Sequence, residues 1–261
     1  MLARDTISIA IRKARDAGRP AMVAYLTAGF PTKESFAKNL QAVASVADVI
    51  EIGVPFSDPM ADGTTVQRSS RIALQQGVSL KWIFEFLSGQ KAVARCPILL
   101  MTYFNPLLAF GLDKLAKTAA QTGVTGFIVP DLPYEESAEL RGALDKEGLA
   151  LVQLVTPVTP DDRLAMLCKA SQGFVYAVTM TGTTGKNVAV PTEVLSYMDR
   201  VRKASPIPVC AGFGIRNHDQ VRLMDNHVDG VVVGSALVEV LERGEDPVAF
   251  LRGLRGKDPQ A

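Results

Sequence analysis

The sequence is poor in the residues that most often announce a metal, a redox function or a compartment. It has two histidines, one tryptophan and three cysteines in 261 residues. Cys96, Cys168 and Cys210 are far apart, odd in number, and form no C-x-x-C pair. They read as reduced core residues, and a disulfide framework is excluded. Charge of one sign is also lacking: 28 Lys and Arg stand against 27 Asp and Glu, and no block of like charges interrupts the chain. That balance disfavours nucleic acid and anionic membranes as partners. No apolar run is long enough for a membrane helix, and the N-terminal MLARDTISIAIRKARDAGRP is broken by charge every few residues. It is not a signal peptide, so a soluble, cytoplasmic protein is expected.

What is present is a rhythm. Short apolar runs recur at Ala21 (AMVAYLTAG), Val49 (VIEIGVP), Pro97 (PILLMTYF), Gly126 (GFIVPDLP), Leu149 (LALVQLVTP), Gly173 (GFVYAVTM), Pro208 (PVCAGFG) and Gly230 (GVVVGSA). Each is too short for a helix and reads as a strand buried on both faces. Charged stretches with apolar positions three or four apart lie between them, among them SFAKNLQAVASVA, LDKLAKTAAQTG and DRLAMLCKAS. These read as amphipathic helices. Pro160-Asp161-Asp162, Pro191-Thr192-Glu193 and Asn217 before Gln220 supply start signals. Eight buried strands alternating with helices are most simply closed into a parallel (β/α)8 barrel of TIM type, because closure leaves no sheet edge. An open doubly wound sheet is the alternative. An additional helix near Ile7 to Ala17 is expected to cap the barrel floor. No Pro, Gly or Ser-rich linker appears, so residues 1–261 read as one domain. At this length a folded chain buries roughly 70–75% of its unfolded surface, so the fold needs no metal or disulfide staple.

In such a barrel the active face is formed by the strand C-termini and the loops after them. Glu51 lies inside the otherwise apolar VIEIGVP, where a carboxylate must be neutral, paired or functional. None of the eight strand runs contains a basic residue to pair with it, and burial should raise its pKa. The following PFSDPMADGTTVQ carries Asp58 and Asp62, either of which alone would read as a turn or cap residue. Glu51 and the loop together bring two carboxyl groups of different environment to one rim, an arrangement that divides acid and base roles. His218 and His227 both fall in the helix after the seventh strand, away from the rim, so histidine catalysis and metal ligation are not expected. Glycine-bearing loops gather late in the chain: TGTTGKN from Thr181, GFGI from Gly212, and Gly234-Ser235. The last two follow strands seven and eight, where barrels commonly hold phosphate on backbone N–H groups at a helix N-terminus. Tyr25, Tyr103, Tyr176 and Phe213, near strand ends, could line a flat pocket or simply pack in the core.

EIGVPFSDPMADG with TTVQ behind it resembles the signature of the tryptophan synthase alpha chain family. The resemblance runs through YLTAGFP, MTYFNP, VPDLP, TGTTG, GFGI and VVVGSALV in order. It implies retro-aldol cleavage of indole-3-glycerol phosphate to indole and glyceraldehyde 3-phosphate, with no cofactor and no metal in this chain. Glu51 would protonate indole C3 and take the side-chain hydroxyl proton; Asp62 would accept a hydrogen bond from the indole N–H. Tyr176 would lie beside Glu51. Gly185, Gly214, Gly234 and Ser235 would hold the substrate phosphate, while Phe213 and Tyr103 would border the indole. Thr184 would meet Asp62 when its loop closes, and Met180 stands before that loop where many relatives have a polar residue. Asp58, Asn105 and Pro106 match the loops that contact a pyridoxal-phosphate-dependent beta chain in an α2β2 assembly. Alternatives are a free-standing lyase of the same family, a non-catalytic allosteric partner of the beta chain, and another phosphosugar barrel.

Overall fold

A computed structural model describes residues 1–90, 96–179, 191–212 and 214–256. Eight strands, β1 (Ala21–Thr27), β2 (Val49–Gly53), β3 (Ile98–Met101), β4 (Val124–Ile128), β5 (Ala150–Val155), β6 (Val175–Val178), β7 (Val209–Gly212) and β8 (Gly230–Val233), pair in sequence order into a closed parallel barrel. β1 closes the ring by pairing with β8. Each of the eight apolar runs holds one strand. β4 starts at Val124, two residues before the apolar run suggests, because Thr125 satisfies its own hydroxyl by donating to the Ile98 carbonyl oxygen at 2.9 Å.

The helices are α1 (Asp5–Asp16), α2 (Lys33–Ala44), α3 (Thr64–Gln75), α4 (Leu80–Ser88), α5 (Phe104–Phe110), α6 (Leu112–Gln121), α7 (Ala138–Lys146), α8 (Asp161–Ala170), α9 (Thr192–Ala204), α10 (His218–Met224), α11 (Ser235–Glu242) and α12 (Pro247–Arg255). Asn217 caps α10 as its sequence suggests, accepting from the Gln220 N–H at 3.0 Å. His218 opens that helix, but His227 lies beyond its end, because α10 stops at Met224. Among the described residues no helix is long and apolar enough to cross a membrane.

Two apolar regions follow from strand alternation. Outward side chains such as Leu26, Ile50, Leu100 and Phe127 pack beneath the helices. Inward ones, including Val23, Val49, Leu99, Ile128 and Val152, fill the lumen. Ile7, Ile11 and Ala14 of α1 join the lumen cluster from below, so the extra N-terminal helix does cap the floor. With the lumen closed from below, the barrel interior opens only towards the opposite rim.

Candidate active site

The alternation that puts Val49 in the lumen puts Glu51 there too, one step nearer the rim and in register with Tyr25 on β1 and Leu99 on β3. Glu51 is 1% exposed, and its Oε2 is buried with no hydrogen-bond partner among the described residues. Among the described residues no salt bridge reaches it. Burial first, and the nearby Asp62 carboxylate second, push its pKa up to about 8. A carboxyl in this state is neutral near pH 7 and close to the value at which a group can both give and take a proton.

Asp62 sits half-buried on the loop between β2 and α3. Burial lifts its pKa to about 6, against a hydrogen bond with Tyr103 that lowers it. Tyr103 also accepts from the Ala61 N–H at 2.9 Å and stacks on Phe56 with ring centroids 5.0 Å apart. It is the post on which the loop hangs. From the other side, Gln67 of α3 donates to the Asp62 carbonyl oxygen at 2.8 Å. The two carboxyl groups thus have separated proton affinities, as expected of a divided acid and base pair.

Two tyrosines frame Glu51. Tyr176 of β6 has its phenol pKa raised by burial and then by the Glu51 charge, so it stands within electrostatic reach of that carboxyl. Burial and the Asp62 charge act on Tyr25 in the same direction. Each ring occupies room left by a glycine. A Cβ at Gly53 would lie 2.1 Å from the Tyr25 hydroxyl, and one at Gly212 would lie 2.7 Å from the Tyr176 ring. Behind Tyr25 runs a hydroxyl chain: Thr27 Oγ1 reaches the Tyr25 hydroxyl at 3.4 Å and Ser69 Oγ at 2.7 Å, and Ser69 donates to the Val66 carbonyl oxygen at 2.9 Å.

Across the rim, Gly214 follows β7 with φ +67°, a conformation that L side chains rarely adopt. Gly234 follows β8 at the N-cap of α11, and Ser235 is that helix's first residue. Among the described residues no side chain caps α11, so its first N–H groups are available to an anion. Gly234 lies next to Tyr25: a Cβ there would meet Tyr25 Cβ at 3.8 Å. The phosphate-type cradle and the carboxyl pair thus face one mouth. Thr184, Gly185, Phe213 and Met180 lie outside the described residues.

Asp58, on the loop after β2, and Asn105, in the first turn of α5 after β3, are exposed, and Pro106 beside Asn105 is half-buried. They belong to the outer rim, not to the pocket around Glu51. Met60 on the same loop as Asp58 and Leu108 on α5 are 84% and 46% exposed. A cleft of about 620 Å³ lies instead at the floor, lined by residues such as Thr6, Lys13, Cys96 and Gln121. Among the described residues it gathers no carboxyl group and no anion cradle, unlike the rim around Glu51.

A closed barrel carrying an unpaired buried carboxyl, a second carboxyl on the adjoining loop and an uncapped helix after the eighth strand defines a (β/α)8-barrel enzyme that works by proton transfer on an anionic substrate. The tryptophan synthase alpha chain family model matches residues 11–252. The tryptophan synthase alpha chain of Solidesulfovibrio magneticus is 44% identical over 256 residues, covering 98% of this chain and 100% of the relative. A Mycobacterium tuberculosis tryptophan synthase structure superposes with TM-score 0.88 at 33% identity, covering 95% of this chain and 96% of that one. Tryptophan synthase subunit alpha from Legionella pneumophila gives 0.86 at 30%, covering 98% and 97%. The chain belongs to the tryptophan synthase alpha chain family, a family of lyases in tryptophan biosynthesis.

Proposed function

We propose that this chain, a single (β/α)8 domain, cleaves indole-3-glycerol phosphate to indole and glyceraldehyde 3-phosphate as the alpha subunit of a tryptophan synthase. The observation that carries the reading is Glu51, a buried, unpaired carboxyl aimed at the mouth of the barrel beside Asp62.

The substrate phosphate rests on Gly214, Gly234 and Ser235, with the positive end of α11 beneath it. Neutral Glu51 delivers its proton to indole C3. The ring nitrogen then carries positive charge, and ionised Asp62 accepts a hydrogen bond from its N–H. Glu51, now a carboxylate, takes the proton of the side-chain hydroxyl. That oxygen's electron pair forms the aldehyde C=O, the carbon–carbon bond breaks, and its electrons return to the ring as indole. Glu51 ends as it began, so protons and electrons balance without any added group. Tyr176 and Tyr25 wall the reacting carbons, and Tyr103 holds the Asp62 loop. Thr184, Gly185 and Phe213 complete the site by family resemblance.

The cleavage needs no cofactor in this chain; pyridoxal phosphate belongs to the beta chain that would use the indole. Exposed Asp58, Met60, Asn105 and Leu108 on the rim support that partner, in an α2β2 assembly in the cytoplasm. The test is indole release from indole-3-glycerol phosphate by the purified chain, alone and with a tryptophan synthase beta chain in excess. Slow release that rises strongly with the beta chain supports the reading, fast partner-independent release assigns a free-standing lyase, and no release in either case refutes the enzyme. Gly234→Asp should raise the dissociation constant of glycerol 3-phosphate through charge repulsion at the cradle.

A further inference from the structure

The two anchors of the proposed site, the phosphate cradle and the Asp62 loop, are joined across the rim by a side chain that takes no part in the chemistry. Glu239 lies four residues beyond Ser235 on α11, on the same face of the helix. Its carboxylate accepts from both terminal nitrogens of Arg216, at 2.8 and 2.9 Å, and from Thr65 Oγ1 at 3.3 Å. Arg216 is two residues beyond Gly214 in the turn after β7. Thr65 is the second residue of α3, three beyond Asp62, and Gln67, two residues further along the same helix, donates to the Asp62 carbonyl oxygen. Three segments that each carry a site group therefore meet at one carboxylate.

The meeting point is sheltered. The Arg216 and Glu239 side chains are 28% and 24% exposed, and the pairing is bidentate, which fixes orientation as well as distance. The Arg216 guanidinium holds the Glu239 carboxyl below the usual carboxylate range. One turn further out, Arg68 and Glu242 pair the same two helices, but at the solvent edge, where such pairs contribute little. In the sheet, β2 reaches β8 only through β1. The Glu239 junction is the shorter brace.

We infer that Glu239 is a positioning residue for the cleavage: it sets the span between the phosphate cradle and Asp62, and so the length of substrate that touches both at once. This rests on the functional reading given above. A substrate held at its phosphate presents its indole N–H to Asp62 only if that span is correct, and a misplacement of about 1 Å can cost on the order of a hundredfold in rate. The brace predicts a division of effects. Thr65 links Glu239 to the Asp62 side alone, whereas Arg216 links it to the cradle alone.

The experiment measures kcat and KM for indole-3-glycerol phosphate, with the dissociation constant of glycerol 3-phosphate as probe of the cradle, in Thr65→Val, Thr65→Ser, Arg216→Gln and Glu239→Ala. Thr65→Val is expected to lower kcat about tenfold, equivalent to ~1.4 kcal/mol, with the probe's dissociation constant within about twofold of wild type, a margin of ~0.4 kcal/mol. Thr65→Ser, which keeps the donor, restores kcat. Arg216→Gln raises KM and the probe's dissociation constant together. In Glu239→Ala, which removes the acceptor that a glutamine would keep, adding Thr65→Val costs no further kcat, because both cut the same link. Wild-type kcat in Thr65→Val overturns the inference. So does equal loss in Thr65→Val and Thr65→Ser, which would assign Thr65 to packing, or full additivity in the double variant. Should Glu239→Ala fail to fold, the Thr65 pair decides by itself. A wild-type chain that releases no indole with or without the beta chain fails at the earlier step and overturns the functional reading along with this one.

Discussion

Asp48 and Glu51 are three residues apart, one just before β2 at the floor and the other within it facing the rim, and they are treated in opposite ways. Asp48 receives both terminal nitrogens of Arg19, at 2.7 and 2.8 Å, the Arg255 guanidinium at 3.0 Å and the Met22 N–H at 2.8 Å. Its side chain is 13% exposed, and its hydrogen bonds tie α12, the turn between α1 and β1, and the start of β1 together at the floor. Glu51, more deeply buried, has no partner for Oε2 among the described residues. A saturated carboxylate is a structural rivet. An unsatisfied one costs stability, and in the proposed reaction the substrate would complete its bonding.

The contrast can be broken from either side. Glu51→Gln is expected to lower indole release by roughly a thousandfold, the range of a lost general acid and base, while glycerol 3-phosphate binding stays near wild type; equal loss of both would mean the site had collapsed. A smaller effect follows from the space beside Tyr25. Gly53→Ala places a methyl group 2.1 Å from the Tyr25 hydroxyl, and the forced shift should cost about 1–3 kcal/mol of stability and lower kcat. Unchanged stability and kcat in Gly53→Ala would show that the Tyr25 ring and hydroxyl can both move aside. At the floor, Asp48→Asn should leave kcat of the folded protein unchanged but cost about 2–3 kcal/mol in urea unfolding, since two guanidinium groups lose their counter-charge. An active-site defect there would erase the distinction between the two ends.

pH sharpens the comparison further. The rate should require ionised Asp62 and neutral Glu51, so kcat/KM should rise through about pH 6 and fall above about pH 8, and Asp62→Asn should remove the acid limb. Glu51 has its folded pKa raised above its unfolded value, so its stabilising contribution is complete below about 4.5 and erodes as pH climbs to about 8. Glu51→Gln escapes that erosion. Its melting temperature should therefore gain on wild type between pH 5 and pH 8, and a pH-independent difference would contradict the raised pKa.

The rivet and the unpaired acid were not equally readable in advance. Glu51 stands out in sequence because it interrupts an apolar strand, and the glycines after β7 and β8 stand out by position. Asp48 gives no such signal, since its partners lie 29 and 207 residues away. The Glu239 junction is hidden for the same reason: Thr65 is 174 residues from it. Strands were legible because burial on both faces makes them apolar throughout. α5 was not, because Pro106 reads as a loop residue, yet as the third residue of the helix it breaks no helical hydrogen bond. Gly53 belongs to the recognised signature, but only the position of the Tyr25 hydroxyl shows why a side chain is excluded there.

The helix that closes the lumen from below turns the barrel into a cup with one lip. In the proposed reaction the reactant, aldehyde and indole all cross that lip, and the cradle proposed for the phosphate lies beside the same opening. Traffic is consequently sequential, and a protein seated on the lip would command arrival, departure and the fate of the indole together. Bringing such a cup under the control of a partner requires no rearrangement of its walls, only occupation of its brim.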